Sequence, residues 1–134
     1  MTVDELRSIP FLAGASDAGL ARVSSAAGEM ECHAGQIVAL EGDRGSGMFV
    51  ILDGTALVEW RGGSVELGPG AFFGELTLLS PGGTRNARVR AASEMRCLAI
   101  PRDDALALIE AEPTVALAML REVARRFASA LPDE

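Results

Sequence analysis

Residues 36–74 read "QIVALEGDRGSGMFVILDGTALVEWRGGSVELGPGAFFG". Short runs of β-branched and apolar residues alternate with glycine: Gly42, Gly45, Gly47, Gly54, Gly62, Gly63, Gly68 and Gly70 cut the stretch into strands of about four to six residues. Turns this frequent leave no room for long crossovers, so the strands must form an antiparallel sandwich or barrel, not a parallel sheet. The "RGGS" between "ALVEW" and "SVEL" predicts a two-residue hairpin turn at Gly62-Gly63, since glycine accepts positive φ at both positions. Downstream, "NARVRAA" and "MRCLAIP" supply two more strands, and the β region runs over residues 29–101.

Helical signals flank it. Thr2-Val3-Asp4-Glu5 has capping-box spacing and predicts a short helix over residues 3–8, stopped by Pro10. Ser16-Asp17 opens a second helix with Leu20, Val23 and Ala27 on one face. After Pro101, "RDDALALIEAEP" has an acidic first turn that suits the helix dipole and stops before Pro113. The next helix places Pro113 in its first turn, where the missing N–H costs nothing, and ends at Pro132. Its apolar residues Val115, Leu117, Leu120, Val123, Ala124 and Phe127 fit one stripe only in part. The fold class is α+β: N-terminal helices over residues 1–28, a β-roll over 29–101 and C-terminal helices over 102–131.

A chain of 134 residues with 49% hydrophobic and 23% charged residues is a single globular domain. No apolar run approaches the roughly 18–20 residues of a membrane span. The opening "MTVDELRS" is acidic and polar, unlike a secretory signal, so the chain reads as soluble and cytoplasmic. A net charge of -7 argues against nucleic acid as a partner, because phosphate backbones reward clustered positive charge. All 12 basic residues are arginine and tyrosine is absent, a bias that matches GC-rich bacterial coding. Cys32 and Cys97 lack CxxC spacing and read as reduced, partly buried thiols ahead of a disulfide or a reactive pair.

The chemistry concentrates in "FFGELTLLSPGGTR", residues 72–85. Gly74 lets backbone approach a ligand closely, and the free N–H groups near Glu75 and Leu76, at the start of a short helix, form an anion site. Arg85, ten positions after Glu75, can meet the same anion with a planar fork of donors. A carboxylate there would repel phosphate, so Glu75 makes sense facing a hydroxyl such as a ribose 2′-OH. An arginine for phosphate, a glutamate for ribose and apolar strands for a base describe a singly charged nucleotide.

Read together, "FFGELTLLSPGGTRNARV" resembles the phosphate-binding cassette of cyclic nucleotide-binding domains, the sensor module of catabolite-activator-type regulators, cyclic-AMP-dependent kinase regulatory subunits and cyclic nucleotide-gated channels. "VALEGDRGSGMFVILDGTA" is similar to the same family's glycine-turn segment, in the right order and spacing. The resemblance covers nearly the whole chain. It implies a double-stranded β-helix, jelly-roll-like, as one cyclic nucleotide-binding domain over residues 1–134 with its cassette at 72–89. It further implies that Glu75 accepts the ribose hydroxyl, Arg85 pairs with the cyclic phosphate, and the Gly74 and Leu76 backbone lines phosphate and sugar. Leu67 would contact the base, with Val89 a second candidate, and Arg126 on the last helix would be linked to the ligand. Three positions depart from the family pattern: Asn86 for Ser, Ala or Thr, Thr77 for Ala, Gly or Ser, and Ala39 for a larger β-branched residue or cysteine. Asn86 can still donate to a phosphate, so binding is expected to persist. The expected ligand is cyclic AMP, with cyclic GMP possible, and no other cofactor.

Competing readings carry less. "GDRGSG" lacks the lysine and hydroxyl of a P-loop and sits between strands, where a plain turn suffices. His33 is the one histidine and neither cysteine has ligand spacing to it, so no metal is expected and His33 reads as an exposed strand-end residue. Asp103-Asp104 reads as a helix start, Trp60 as a packed hairpin end and Arg125-Arg126 as a solvated pair. No nucleophile stands with a base, so the chain is not expected to be an enzyme. Its partners are expected to be a small cyclic nucleotide and an unknown effector, with no membrane contact in this chain, as a monomer or weak dimer. The alternative is an interaction module that keeps the roll without needing ligand, as Asn86 and Thr77 would permit. A DNA-binding regulator is disfavoured, since no helix-turn-helix follows the last helix.

Overall fold

A computed structural model of the chain describes residues 1–39, 47–75 and 87–130. They divide into two compact units, Ala26–Leu106 and the pair of segments Met1–Ser25 and Ala107–Glu134. The first holds eight strands among its described residues: β1 Gly28–Cys32, β2 Ile37–Ala39, β3 Gly47–Asp53, β4 Ala56–Trp60, β5 Gly63–Leu67, β6 Phe72–Phe73, β7 Arg88–Ala91 and β8 Met95–Pro101. They form two four-stranded antiparallel sheets, ordered β1-β8-β3-β6 and β2-β7-β4-β5. The expected antiparallel roll with flanking helices is the architecture found, without closure into a barrel.

Between the sheets lies one apolar cluster. Cys32, Ile51, Phe73, Met95 and Cys97 come from the first sheet; Ala56, Leu67, Val89 and Ala91 come from the second. Alternation decides which residues these are, because successive side chains point to opposite faces. On β7, Val89 and Ala91 turn inward while Arg88 and Arg90 stay half-exposed or exposed. Strand β8 departs from alternation. Leu98 and Ile100 are buried as well as Met95 and Cys97, so much of this central strand is covered on both faces.

The chain crosses from the first sheet to the second at Gly54-Thr55 and returns at residues 92–94. These crossings are bonded together: the Thr55 N–H donates to Ser93 Oγ at 3.1 Å, and the Ala92 N–H to the Thr55 carbonyl at 2.9 Å. Gly54 has φ +83°, and a Cβ there would strike the Glu94 carbonyl. A bulge between Ile51 and Asp53 brings Asp53 opposite Arg96. Arg96 Nη2 donates to Asp53 at 2.9 Å and Nη1 to Glu29 at 3.3 Å, so one guanidinium spans three strands.

Strand β4 turns into β5 with a register one residue away from that expected. Trp60 pairs with Gly63, so the loop is Arg61-Gly62 and only Gly62 has positive φ, at 96°. The Trp60 ring packs where a Gly63 Cβ would lie, 2.9 Å from its nearest atom, so that a side chain at Gly63 would crowd the ring.

In the other unit, the capping box forms as expected: Glu5 N–H to Thr2 Oγ1 and Thr2 N–H to Glu5 Oε1, both 3.1 Å. Helix α1 is Val3–Arg7, with Ser8 as its C-cap, and Pro10 opens a single 3₁₀ turn, Pro10–Leu12. Helix α2 is Asp17–Ala26 with Leu20 and Val23 buried; Ala27 lies beyond its end. Helices α3, Arg102–Ala111, and α4, Pro113–Ala130, follow the roll. Between them, the Glu112 carboxylate accepts the Ser16 N–H just before α2. On α4 the buried positions are Val115 and Met119, while Leu117, Leu120 and Phe127 are exposed. The incomplete stripe therefore reflects a split, with some of its large apolar residues on the outside.

Replacing Gly54 with alanine should destabilise the protein by about 1–3 kcal/mol, the cost of forcing a side chain into a left-handed conformation against a fixed carbonyl. A lower urea midpoint with an unchanged slope is the expected result. The thiols make a second prediction. Both are free and buried, and burial, with Cys32 nearby, pushes Cys97 up from 9.0 to about 12. Between these values the unfolded chain has lost a proton that the folded chain keeps, so stability should be full below pH 9 and fall as pH rises toward 12. With no lysine or tyrosine in the sequence, few other groups titrate in that window, and Cys97→Ala should flatten the pH profile of the urea midpoint.

Candidate ligand-binding site

The strands bring two expected base-contact residues onto one wall. Leu67, the last residue of β5, pairs with Ala56; Val89 on β7 pairs with Val58. Both are 4% exposed and face the shared cluster, with Val58 and Val65 partly buried against it. The wall is entirely aliphatic, suited to the faces of a flat ring.

Phe73 leads from this wall to the expected sugar and phosphate residues. Its ring stacks on Phe49 with centroids 5.0 Å apart, and its pairing with Phe49 on β3 fixes where β6 ends. Gly74 follows at φ +90°, a backbone conformation that a side chain would strain. Glu75 comes next and is 5% exposed, the one buried charged side chain among the described residues. Burying a carboxylate costs several kcal/mol unless hydrogen bonds or charges compensate, so its position is not that of a solvated helix start. Leu76, Arg85 and Asn86, together with Thr77 and the rest of the "GDRGSG" turn before Gly47, lie outside the described residues.

Arg126 lies on α4, in the other unit. Its side chain is 14% exposed, and its Nε donates to Glu122 Oε1 at 3.0 Å, while Arg125 reaches the same carboxylate from a more exposed position. The Arg125 hydrogen bond, with that of Arg126 and against some burial, holds the Glu122 carboxyl below its usual range. The expected solvated pair is thus two unlike arginines. His33 is exposed, with Nδ1 3.2 Å from Glu94, and no metal-binding group is found among the described residues.

Sequence reading passed over Phe49 and Glu59. The adjacent aromatics of "FFG" signalled Phe73 but not its partner. Glu59 Oε1 accepts from Arg88 Nη2 at 3.0 Å and Arg90 Nε at 3.4 Å, on the outer face of the second sheet. Partial burial raises this carboxyl, but the hydrogen bonds and charges of the two arginines outweigh it and hold it below the ordinary value. Alternation in "ALVEW" and "RVR" could have placed these three on one face; their strand pairing could not be read locally.

Comparison with known proteins agrees with this geometry. The cyclic nucleotide-binding domain family matches residues 29–112. A cyclic nucleotide-gated potassium channel of Rhizobium etli is 33% identical over 109 residues, which make up 81% of this chain and 30% of the channel. The cyclic AMP receptor protein of Thermus thermophilus is 35% identical over 102 residues, 72% of this chain and 47% of that protein. The chain therefore spans less than half the length of either relative. The crystal structure of the Thermus thermophilus catabolite activator protein superposes with a TM-score of 0.71 at 29% identity, covering 90% of this chain and 59% of that one. No helix among the described residues is long and apolar enough to cross a membrane. A match across more than half of the chain, including the aliphatic wall, Gly74 and the buried Glu75, means that the chain belongs to the cyclic nucleotide-binding domain family.

Proposed function

We propose that the chain is a reversible sensor of cyclic AMP whose last helix changes position when the nucleotide binds. The observation that carries this reading is the buried carboxylate of Glu75 directly after Gly74, at the family's ribose position. A ribose hydroxyl can donate a hydrogen bond to a carboxylate there without bringing a second negative charge to it. Arg85 supplies the fork for the cyclic phosphate, Gly74, Leu76 and Asn86 line it, and Leu67 and Val89 hold the base. The aliphatic wall of Val58, Val65, Leu67 and Val89 would take the face of either purine base. The choice of adenine rests on a relative named for cyclic AMP, 35% identical over 102 residues.

The output is a population shift of residues 114–131, with Arg126 linked to the ligand. The coupling such a shift can supply is typically about 1–3 kcal/mol. In this reading the sensor occupies residues 1–134, its roll 29–101 and its cassette 72–89, and it acts on an effector protein or domain without chemistry of its own. Asn86 and Thr77 favour the second reading, an interaction module that keeps the roll and has lost its ligand.

Calorimetry on protein unfolded and refolded to strip co-purified nucleotide decides between them. Saturable binding of cyclic AMP at micromolar or better affinity is expected, with cyclic GMP weaker. Arg85→Ala should lose at least about tenfold, because a charge-assisted hydrogen bond contributes roughly 1.5–3 kcal/mol. Arg85→Lys should also be impaired, since an ammonium cannot reproduce the fork. Equal affinity of wild type and Arg85→Ala, or silence toward both nucleotides from a folded protein, would overturn the sensor reading.

A further inference from the structure

Strand β7 enters the roll directly from the cassette and is held unevenly. Toward β2 its pairing shifts register between Ile37 and Ala39, so that side is irregular. Toward β4 the register is continuous from Ala56↔Ala91 to Glu59↔Arg88. A slip of one residue would turn Val89 outward and send Arg88 and Arg90 into the apolar cluster. Two arginines at alternate positions on one face also repel each other across the strand. Glu59 answers both problems from β4: it lies directly opposite Arg88, and the same oxygen accepts from Arg88 and Arg90. Its side chain is 28% exposed, more covered than either arginine at 48% and 37%, so the carboxylate is the best-fixed member of the trio.

We infer that Glu59 is a positioning residue for nucleotide binding: it pins β7, and through β7 it sets Val89 against the base and fixes the point where the chain leaves the cassette. This rests on the sensor reading above, yet Glu59 touches no ligand. A comparable surface network on the first sheet, Arg96 with Asp53 and Glu29, provides the control, because no expected ligand residue lies on the strands it joins.

The test uses the full chain with Glu59→Gln, Glu59→Asp and Asp53→Asn. Hydrogen exchange without ligand should show faster exchange at residues 88–91 in Glu59→Gln, with β3 and β8 unchanged. Calorimetry should show cyclic AMP affinity lower by roughly threefold to tenfold, the scale of losing two exposed ion pairs. Glu59→Asp, which keeps the charge, should recover part of both effects, and Asp53→Asn should leave affinity as in wild type. Wild-type affinity in Glu59→Gln, or exchange that rises evenly through the roll, would overturn the inference while leaving the sensor reading intact. If the wild-type chain binds neither cyclic AMP nor cyclic GMP, both readings fall together, and the exchange data then separate a pinned strand from an unpinned one.

Discussion

The two-sided burial of β8 is the constraint on which the roll depends. This strand pairs with β1 along residues 95–99 and with β3 along residues 96–101, and side chains on both of its faces are withdrawn from water. Every inward residue of the neighbouring strands is placed by that register, because a shift of one residue exchanges the faces of an antiparallel strand. Arg96 is the half-exposed polar residue within this strand. The bulge in β3 turns Asp53 to meet it, and Glu29 approaches from β1. Each exposed pair contributes little to stability, but together they tie three strands at the one place where β8 is polar.

From this frame the site follows by short steps. Pairing to β3 ends β6 at Phe73, whose ring is fixed by Phe49, and the chain then needs a residue with positive φ to leave the sheet. Gly74 supplies it and delivers Glu75 into a buried position. The second sheet contributes the aliphatic wall through ordinary alternation on β4, β5 and β7. The two sheets therefore divide the described chemistry: the first leads to the buried carboxylate of Glu75, and the second carries the aliphatic wall.

Much of this was legible in the residues alone. Glycine spacing defined short strands, Thr2 and Glu5 announced their capping box, and "FFGELTLLSPGGTR" carried a family resemblance that the family match bears out. Such signals are local: a turn residue, a cap or an anion-binding loop acts within a few positions of itself in the chain. What the sequence misplaced was also instructive. The expected Gly62-Gly63 turn lies one residue earlier, at Arg61-Gly62, with Gly63 paired to Trp60 and the Trp60 ring packed where a Gly63 Cβ would be. The final helix resisted a single stripe because burial of Val115 and Met119 left Leu117, Leu120 and Phe127 outside.

The amino-acid sequence thus determined the element types, the antiparallel class of the roll and the family to which the chain belongs. Tertiary structure decided which carboxylate is buried, which arginines share a partner and which strand pairs regularly on one side and irregularly on the other. Glu59, Arg88 and Arg90 are 29 and 31 positions apart and meet only because β4 and β7 are neighbours in the sheet. Glu75 is one glutamate among many until the end of β6 places it under cover. Pairing between distant strands depends on the summed burial of both faces, and no window of the sequence contains that sum.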